Sequence, residues 1–122
     1  LLIMNEDFAT FELAKKLKEK GFKEKVNAYY GKWENLFDVH PALDMNDAEY
    51  RCSAPTISQV LKWLRKEKKI YLEVVIAANA EYMCDIYKIN PRPIKCLGST
   101  EYSKTPEDAA LAGIGYVINN LI

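Results

Sequence analysis

The period of the apolar residues changes at Ile70, and this change marks the predicted centre of the fold. Before it, apolar residues recur at the spacing of one helix face: Ile57, Val60, Leu61 and Leu64. After it, the run from Ile70 to Ile76 alternates, as a strand with one buried face does. Thr56 and Gln59 have the spacing of a capping box, so the helix is expected to begin at this point.

A hairpin is predicted after this helix, because Ala78-Asn79-Ala80 separates two alternating runs and asparagine tolerates a positive φ. With Ala77 opposite Glu81, the core face carries the pairs Leu72–Ile86, Val74–Cys84 and Ile76–Tyr82. The other face carries the pairs Tyr71–Tyr87, Glu73–Asp85 and Val75–Met83. This second face is therefore half polar, with two tyrosines and two carboxylates.

The rest of the chain is predicted to add two helices and several strands. These are a helix from Thr10 to Lys20, strands from Val26 to Tyr30 and Trp33 to Val39 around a Gly31-Lys32 turn, a short strand from Tyr50 to Ser53, a strand from Ile94 to Tyr102, and a helix from Ala109 to Ile122. The segment from His40 to Glu49 is expected to be an acidic surface loop. The pattern favours an α+β fold in a single domain, residues 1–122, with an antiparallel sheet of about five strands and three helices packed mainly on one face.

The final helix is unusual because it carries no charge between Ala109 and Ile122. Its small residues, with Tyr116, follow one side: Ala109, Ala112 and Gly113. Such a helix is expected to be buried nearly all round, docked across the sheet, or buried on one side and covered by a partner on the other. A homodimer through this C-terminal helix is the alternative that the pattern leaves open.

Composition restricts the function without specifying it. The chain has 122 residues, no net charge, 49% hydrophobic residues and 28% charged residues, as ordinary globular proteins do. Zero net charge gives no global attraction to nucleic acid or anionic lipid, and no apolar run approaches a membrane span. The apolar start of the sequence is too short for a signal peptide, and acidic residues follow it within seven positions. Met4 is the expected natural start. A cytoplasmic location is therefore predicted.

Cys52, Cys84 and Cys96 are odd in number and lack a CxxC spacing, which favours free, mostly buried thiols over disulfides or a zinc site. No phosphate-binding loop, nucleophile elbow or dinucleotide fingerprint is present. His40 is the single histidine, and no flanking pattern supports a nucleophile–histidine pair. We therefore predict no catalytic residue, no cofactor and no metal.

Three segments together resemble a group of small proteins found in prophages and other mobile elements of gut bacteria. They are the opening MNEDFATFELAKKLKEKGF, the SAPT that precedes KWLR, and the closing TPEDAALAGIGYVI. The resemblance covers most of the chain, and Trp33 to Tyr50 departs most from it. It implies a mobile-element context for this protein, and it assigns no mechanism and no functional residues.

Two surfaces of the predicted fold are candidate binding sites. The first is a basic stripe on the central helix that could contact phosphates: Lys62, Arg65, Lys66 and Lys69. The element order from Thr56 onward is that of double-stranded-RNA-binding domains. Those domains place lysines at the start of their last helix, where this chain has Pro106-Glu107-Asp108. A solvated lysine-rich face is the alternative explanation for the stripe.

The second candidate is the half-polar hairpin face. Its apolar and aromatic residues would form a protein-binding patch if no other element covers them: Tyr71, Val75, Met83 and Tyr87. Glu73 opposite Asp85 is unfavourable unless a metal, a substrate, a basic partner or Lys95 compensates the charge, and such a pair could also act in acid–base catalysis. We predict a non-enzymatic protein-binding or accessory module, with nucleic-acid binding as the alternative and catalysis by Glu73 and Asp85 as a third hypothesis.

Overall fold

The computed structural model describes residues 7–122, so the prediction that the chain starts at Met4 lies outside the described residues. The helices are α1 (Phe11–Glu19), α2 (Ile57–Glu67) and α3 (Pro106–Asn120). The strands are β1 (Val26–Tyr30), β2 (Leu36–Leu43), β3 (Cys52–Ser53), β4 (Ile70–Ile76), β5 (Tyr82–Lys88) and β6 (Lys95–Ser99). The predicted α+β class and the predicted element order are confirmed.

The predicted sheet of about five strands is wrong, because the described residues form two antiparallel sheets of three strands each, with the orders β2-β1-β3 and β4-β5-β6. The third strand of each sheet comes from the same half of the chain as the two strands of its hairpin. β3 pairs with β1, and β6 pairs with β5. The chain correspondingly divides into two units, one ending at Gln59 and one beginning at Val60. The assignment of both to a single domain stays a prediction.

In the first unit, α1 lies within its predicted range, and the predicted end residues Thr10 and Lys20 are its two caps. The Thr10 hydroxyl accepts a hydrogen bond from the Leu13 amide, and the Phe22 amide donates to the Leu17 carbonyl at 3.0 Å across Gly21. Gly21 has a φ of 90°, which a residue with a Cβ rarely adopts. α1 contacts β3, the strand that pairs with β1.

Strand β2 differs from its prediction at both ends. A loop of residues 31–35 replaces the two-residue turn, and the Gly31 amide donates to the Asn35 carbonyl at 2.9 Å. At the other end β2 continues through Pro41 to Leu43, where a surface loop was expected. Proline is tolerated here because β2 is an edge strand. A residue without an N–H group at a sheet edge need not break a hydrogen bond to a neighbouring strand. Met45, within the same expected loop, is buried.

In the second unit, the predicted hairpin register is confirmed over all of β4 and β5. The loop closes as expected through the Ala77 amide and the Glu81 carbonyl at 2.7 Å. The positive φ falls on Ala80 rather than on Asn79. Asn79 stabilises the loop through its side chain instead, because its Oδ1 accepts a hydrogen bond from the Glu81 amide.

Helix α3 packs on β4 and β5 through one side only. Its N-terminus is capped as predicted, since the Thr105 hydroxyl accepts from the Asp108 amide at 3.0 Å. The buried side comprises Ala109, Ala110, Gly113, Ile114, Val117 and Ile118. Ala112 and Tyr116 lie on the exposed side, so the predicted small-residue track is split between the two. One-sided burial leaves the homodimer through α3 as a prediction.

Candidate functional site

The sheet of the second unit has an outer face, opposite the face that α3 covers, and we define it as Tyr71, Glu73, Val75, Met83, Asp85 and Tyr87. The Tyr71 and Tyr87 rings face each other across the strands, with centroids 6.5 Å apart. Val75 lies opposite Met83. Tyr71 is 40% exposed and Glu73 is exposed, whereas the other four are half-buried. The structure thus brings together every residue of the predicted protein-binding patch.

Glu73 and Asp85 are directly opposed across β4 and β5, as predicted. Among residues 7–122 neither carboxylate forms an ion pair. The neighbouring strand supplies a hydroxyl rather than a charge, because Ser99 donates to Asp85 Oδ1 at 2.7 Å. Lys95, the expected counter-charge, lies opposite Lys88 in the register of β5 and β6, and Asp85 lies opposite Ser99. The outer face therefore carries two negative charges without a compensating cation from the described residues.

The chemistry of this carboxylate pair is restricted by its surroundings. Partial burial, and then the negative charges of Asp85 and Glu73, raise the pKa of Tyr87, so this phenol keeps its proton. Within residues 7–122, no group of three or more histidine, cysteine, aspartate or glutamate side chains could hold a metal ion. The large cavity described below is in the first unit and is lined by neither carboxylate. The carboxylate pair therefore lies on a sheet face, outside that cavity.

Three members of the predicted basic stripe lie on α2, whereas Lys69 follows the end of the helix with a positive φ of 58°, so its placement on the helix is wrong. All four members are exposed: Lys62, Arg65, Lys66 and Lys69. The opposite side of the helix buries Val60, Trp63 and Leu64. The Lys69 ammonium donates to the Lys66 carbonyl at 2.9 Å, so one of the four side chains is folded back on the helix end. Both the solvated face and the nucleic-acid hypothesis fit this arrangement, and nucleic-acid binding stays a prediction.

The first unit contains an open cavity of about 590 Å³, which was not among the sequence predictions. Its walls come from three stretches: one side of α1, the end of β1 with the two residues after it, and the residues that lead into β3. The antiparallel pair Tyr30–Cys52 brings the last two walls together. The helical spacing of Phe11, Lys15 and Lys18 is the one sequence signal that could have placed these cavity-lining residues on one side of α1.

The charged groups at the cavity hold its walls in place. The Lys18 ammonium donates to the backbone carbonyls of Ala48 and, at 2.7 Å, Arg51. These bonds fasten the residues before β3 to α1. The Arg51 Nη2 lies 2.5 Å from Asp47 Oδ1, and this ion pair lowers the pKa of the Asp47 carboxyl. The Arg51 Nε is buried and has no hydrogen-bond partner among residues 7–122.

Two groups at the cavity that could act as nucleophiles are held in their protonated forms. Burial raises the pKa of the Cys52 thiol, and the nearby Lys18 and Lys15 charges oppose this shift without cancelling it. Burial, and then Cys52, raise the pKa of Tyr30, whose hydroxyl donates to the Ala9 carbonyl at 2.7 Å. His40 is in β2, where its Nδ1 lies 3.4 Å from the side-chain Nδ2 of Asn27. Burial therefore disfavours the thiolate of Cys52 and the phenolate of Tyr30.

The three thiols are expected to differ sharply in reactivity. Cys96 is exposed, whereas Cys52 and Cys84 are buried. Burial, and then the Asp85 charge, raise the pKa of Cys84 to about 11. Because the thiolate is the reactive form, Ellman's reagent at about pH 8 should modify one thiol quickly and the other two only after unfolding. The Cys96→Ser variant should lose the fast phase, and a fast phase that persists in it would contradict the assignment.

No protein-family model, curated protein or solved structure matches this chain. The resemblance to small mobile-element proteins stays a prediction. None of the helices within residues 7–122 has the length and apolar character needed to cross a membrane.

Proposed function

We propose that this protein is a non-enzymatic binding module whose outer face docks a protein segment with both basic and apolar side chains, in the mobile-element context that the sequence resemblance implies. The observation that carries the proposal is the uncompensated Glu73–Asp85 pair between two apolar pairs, on a sheet face that α3 leaves open. A face with this composition would select a partner by its charge as well as by its shape.

The apolar part of the face supplies contact area. The tilted Tyr71–Tyr87 pair and the Val75–Met83 pair lie on either side of the carboxylates along the strands. Aromatic and methionine side chains are enriched at the centres of protein interfaces, because they bury large areas with few rotatable bonds or adapt to irregular surfaces. Tyr71 is 40% exposed and offers its hydroxyl to a partner, whereas the Tyr87 hydroxyl already interacts with Asp85.

The carboxylates supply selectivity. Two like charges directly opposed across strands destabilise a sheet unless a cation compensates them. Lysine or arginine side chains of a bound segment would provide that cation, and complementary charges select partners and orient them on approach. An acidic partner would be repelled by the same pair.

The test uses a short peptide of alternating lysine and valine, with a matched peptide in which glutamate replaces lysine. Calorimetric titration should show binding of the lysine peptide alone. The double variant Glu73→Gln/Asp85→Asn should weaken it about tenfold, or ~1.4 kcal/mol. The control Glu67→Gln/Glu101→Gln removes the same charge at exposed positions outside the outer face and should leave the affinity unchanged. Equal effects of the two double variants, or no binding of the lysine peptide, would overturn the proposal.

A further inference from the structure

We propose that the cavity of the first unit binds a small aromatic anion, that is, a ring that carries a carboxylate or a similar acidic group. The cavity has a volume of about 590 Å³, and proteins hold small ligands in pockets of roughly 300–1,000 Å³. The site is separate from the outer face, because all of its lining residues belong to the first unit.

The aromatic part of the ligand is inferred from the rings that line the cavity. Phe11 on α1 and Tyr30 at the end of β1 meet edge to face, with centroids 5.5 Å apart. Tyr50 lines the cavity from the third wall and is 65% exposed, so its ring is free to close over a ligand. Rings at different angles favour a flat apolar group that can stack on one ring and meet another edge-on.

The negative charge of the ligand is inferred from the polar lining. Four basic side chains line the cavity, against the two acidic residues Glu19 and Glu49. Lys18 is already bonded to backbone carbonyls, but Lys15 and Lys32 are exposed and lie over ring faces, those of Phe11 at 5.0 Å and Trp33 at 5.1 Å. These two ammonium groups are free to turn towards a carboxylate. Lys15 has one weak competitor, the exposed Glu12 at 3.9 Å.

Arg51 is the fourth cation of the lining, and its guanidinium is already engaged. It lies 6.0 Å from the centroid of the Tyr29 ring and pairs with Asp47, so Lys15 and Lys32 are the cations left to meet a ligand carboxylate.

A small ligand fits these observations better than a nucleic acid does. Glu19 and Glu49 line the same cavity as the cations, and they would repel a polyanionic backbone that extended past the site. A single carboxylate needs only the exposed ammonium groups of Lys15 and Lys32, and it does not extend past the site as a polyanionic backbone does. Binding of an oligonucleotide in place of small acids would overturn the proposal.

The experiment compares two aromatic acids with their amides: benzoate with benzamide, and indoleacetate with indoleacetamide. Ligand-observed NMR and calorimetry on the full chain should show saturable binding of at least one acid at about 1 mM or tighter. Its amide should bind about three- to tenfold more weakly, since it keeps the ring and lacks the charge.

Matched variants then locate the binding site. The double variant Lys15→Gln/Lys32→Gln should reduce the affinity for the acid to that for the amide, whereas Lys62→Gln/Lys66→Gln, the same charge change on α2, should have no effect. Tyr50→Ala should weaken binding of acid and amide alike, and Tyr102→Ala, also at an exposed tyrosine, should weaken neither. Failure of both acids to bind, equal binding of acid and amide, or equal effects of the two lysine pairs would overturn the proposal.

Discussion

The Asn46→Ala variant is expected to lose about 2–5 kcal/mol of unfolding free energy, since each buried polar group left without a partner costs roughly 1–3 kcal/mol. The Asn46 side chain joins two distant stretches of the first unit. Its Nδ2 donates to the Phe22 carbonyl at 2.8 Å, and its Oδ1 accepts from the Ser53 amide at 2.8 Å. Ser53 is fully buried, so water cannot replace the lost acceptor without rearrangement.

Graded variants separate this bridge from a general loss of packing. Asn46→Asp keeps the acceptor for Ser53 and loses the donor to Phe22, so its loss should be about half as large. Asn120→Ala removes an exposed asparagine that donates to the Tyr116 carbonyl, and should change stability by less than about 0.5 kcal/mol. Urea unfolding followed by circular dichroism measures all three. Identical midpoints for Asn46→Ala and the parent chain would rule the bridge out.

The Gly113→Val variant should destabilise the second unit by about 3 kcal/mol, at the upper end of the cost of overfilling a packed core. A Cβ at Gly113 would lie 2.4 Å from Cys84 Sγ and 2.9 Å from Leu72 Cδ2. Both neighbours are buried and have little room to move. Gly113→Ala should cost less, because the smaller clash is offset by the ~1 kcal/mol by which alanine favours a helix over glycine.

A second substitution identifies the cause of this loss. Cys84→Ala removes the sulfur nearest to the added carbon, so the cost of Gly113→Ala should shrink in that background, as contacting residues do not act additively. The free energies of the four chains in this cycle are measured by urea unfolding. An unchanged cost in the Cys84→Ala background would show that the sulfur does not limit the approach of α3 to the sheet.

The elements and the hairpin register could be predicted because their determinants lie close together in the chain. Thr10, Thr105 and Gly21 mark helix ends through contacts within a few residues. Closure between Ala77 and Glu81 is enough to set every pair along β4 and β5, since side chains alternate strictly. The outer face was predicted for the same reason.

The sheet organisation and the cavity could not be predicted in this way. Alternation shows which side of a strand is buried, but it does not show which edge pairs with which strand, so one sheet and two sheets give the same pattern. Asn46 stands in an acidic segment that resembles a solvent-exposed loop, and its bridging role depends on the positions of Phe22 and Ser53. The cavity requires three separated stretches to meet, and no local spacing encodes that meeting.

Pairing between chain neighbours has a consequence for the order of folding. In the sheet of the second unit, each strand pairs with the next strand in sequence, so only short loops must close. In the sheet of the first unit, β3 returns past β2 to reach β1, and its closure has a greater entropic cost. The last wall of the cavity is the segment that leads into β3. The cavity is therefore completed by the strand pairing β1–β3, which closes a longer stretch of chain than β1–β2 does, and a ligand bound there would stabilise that pairing.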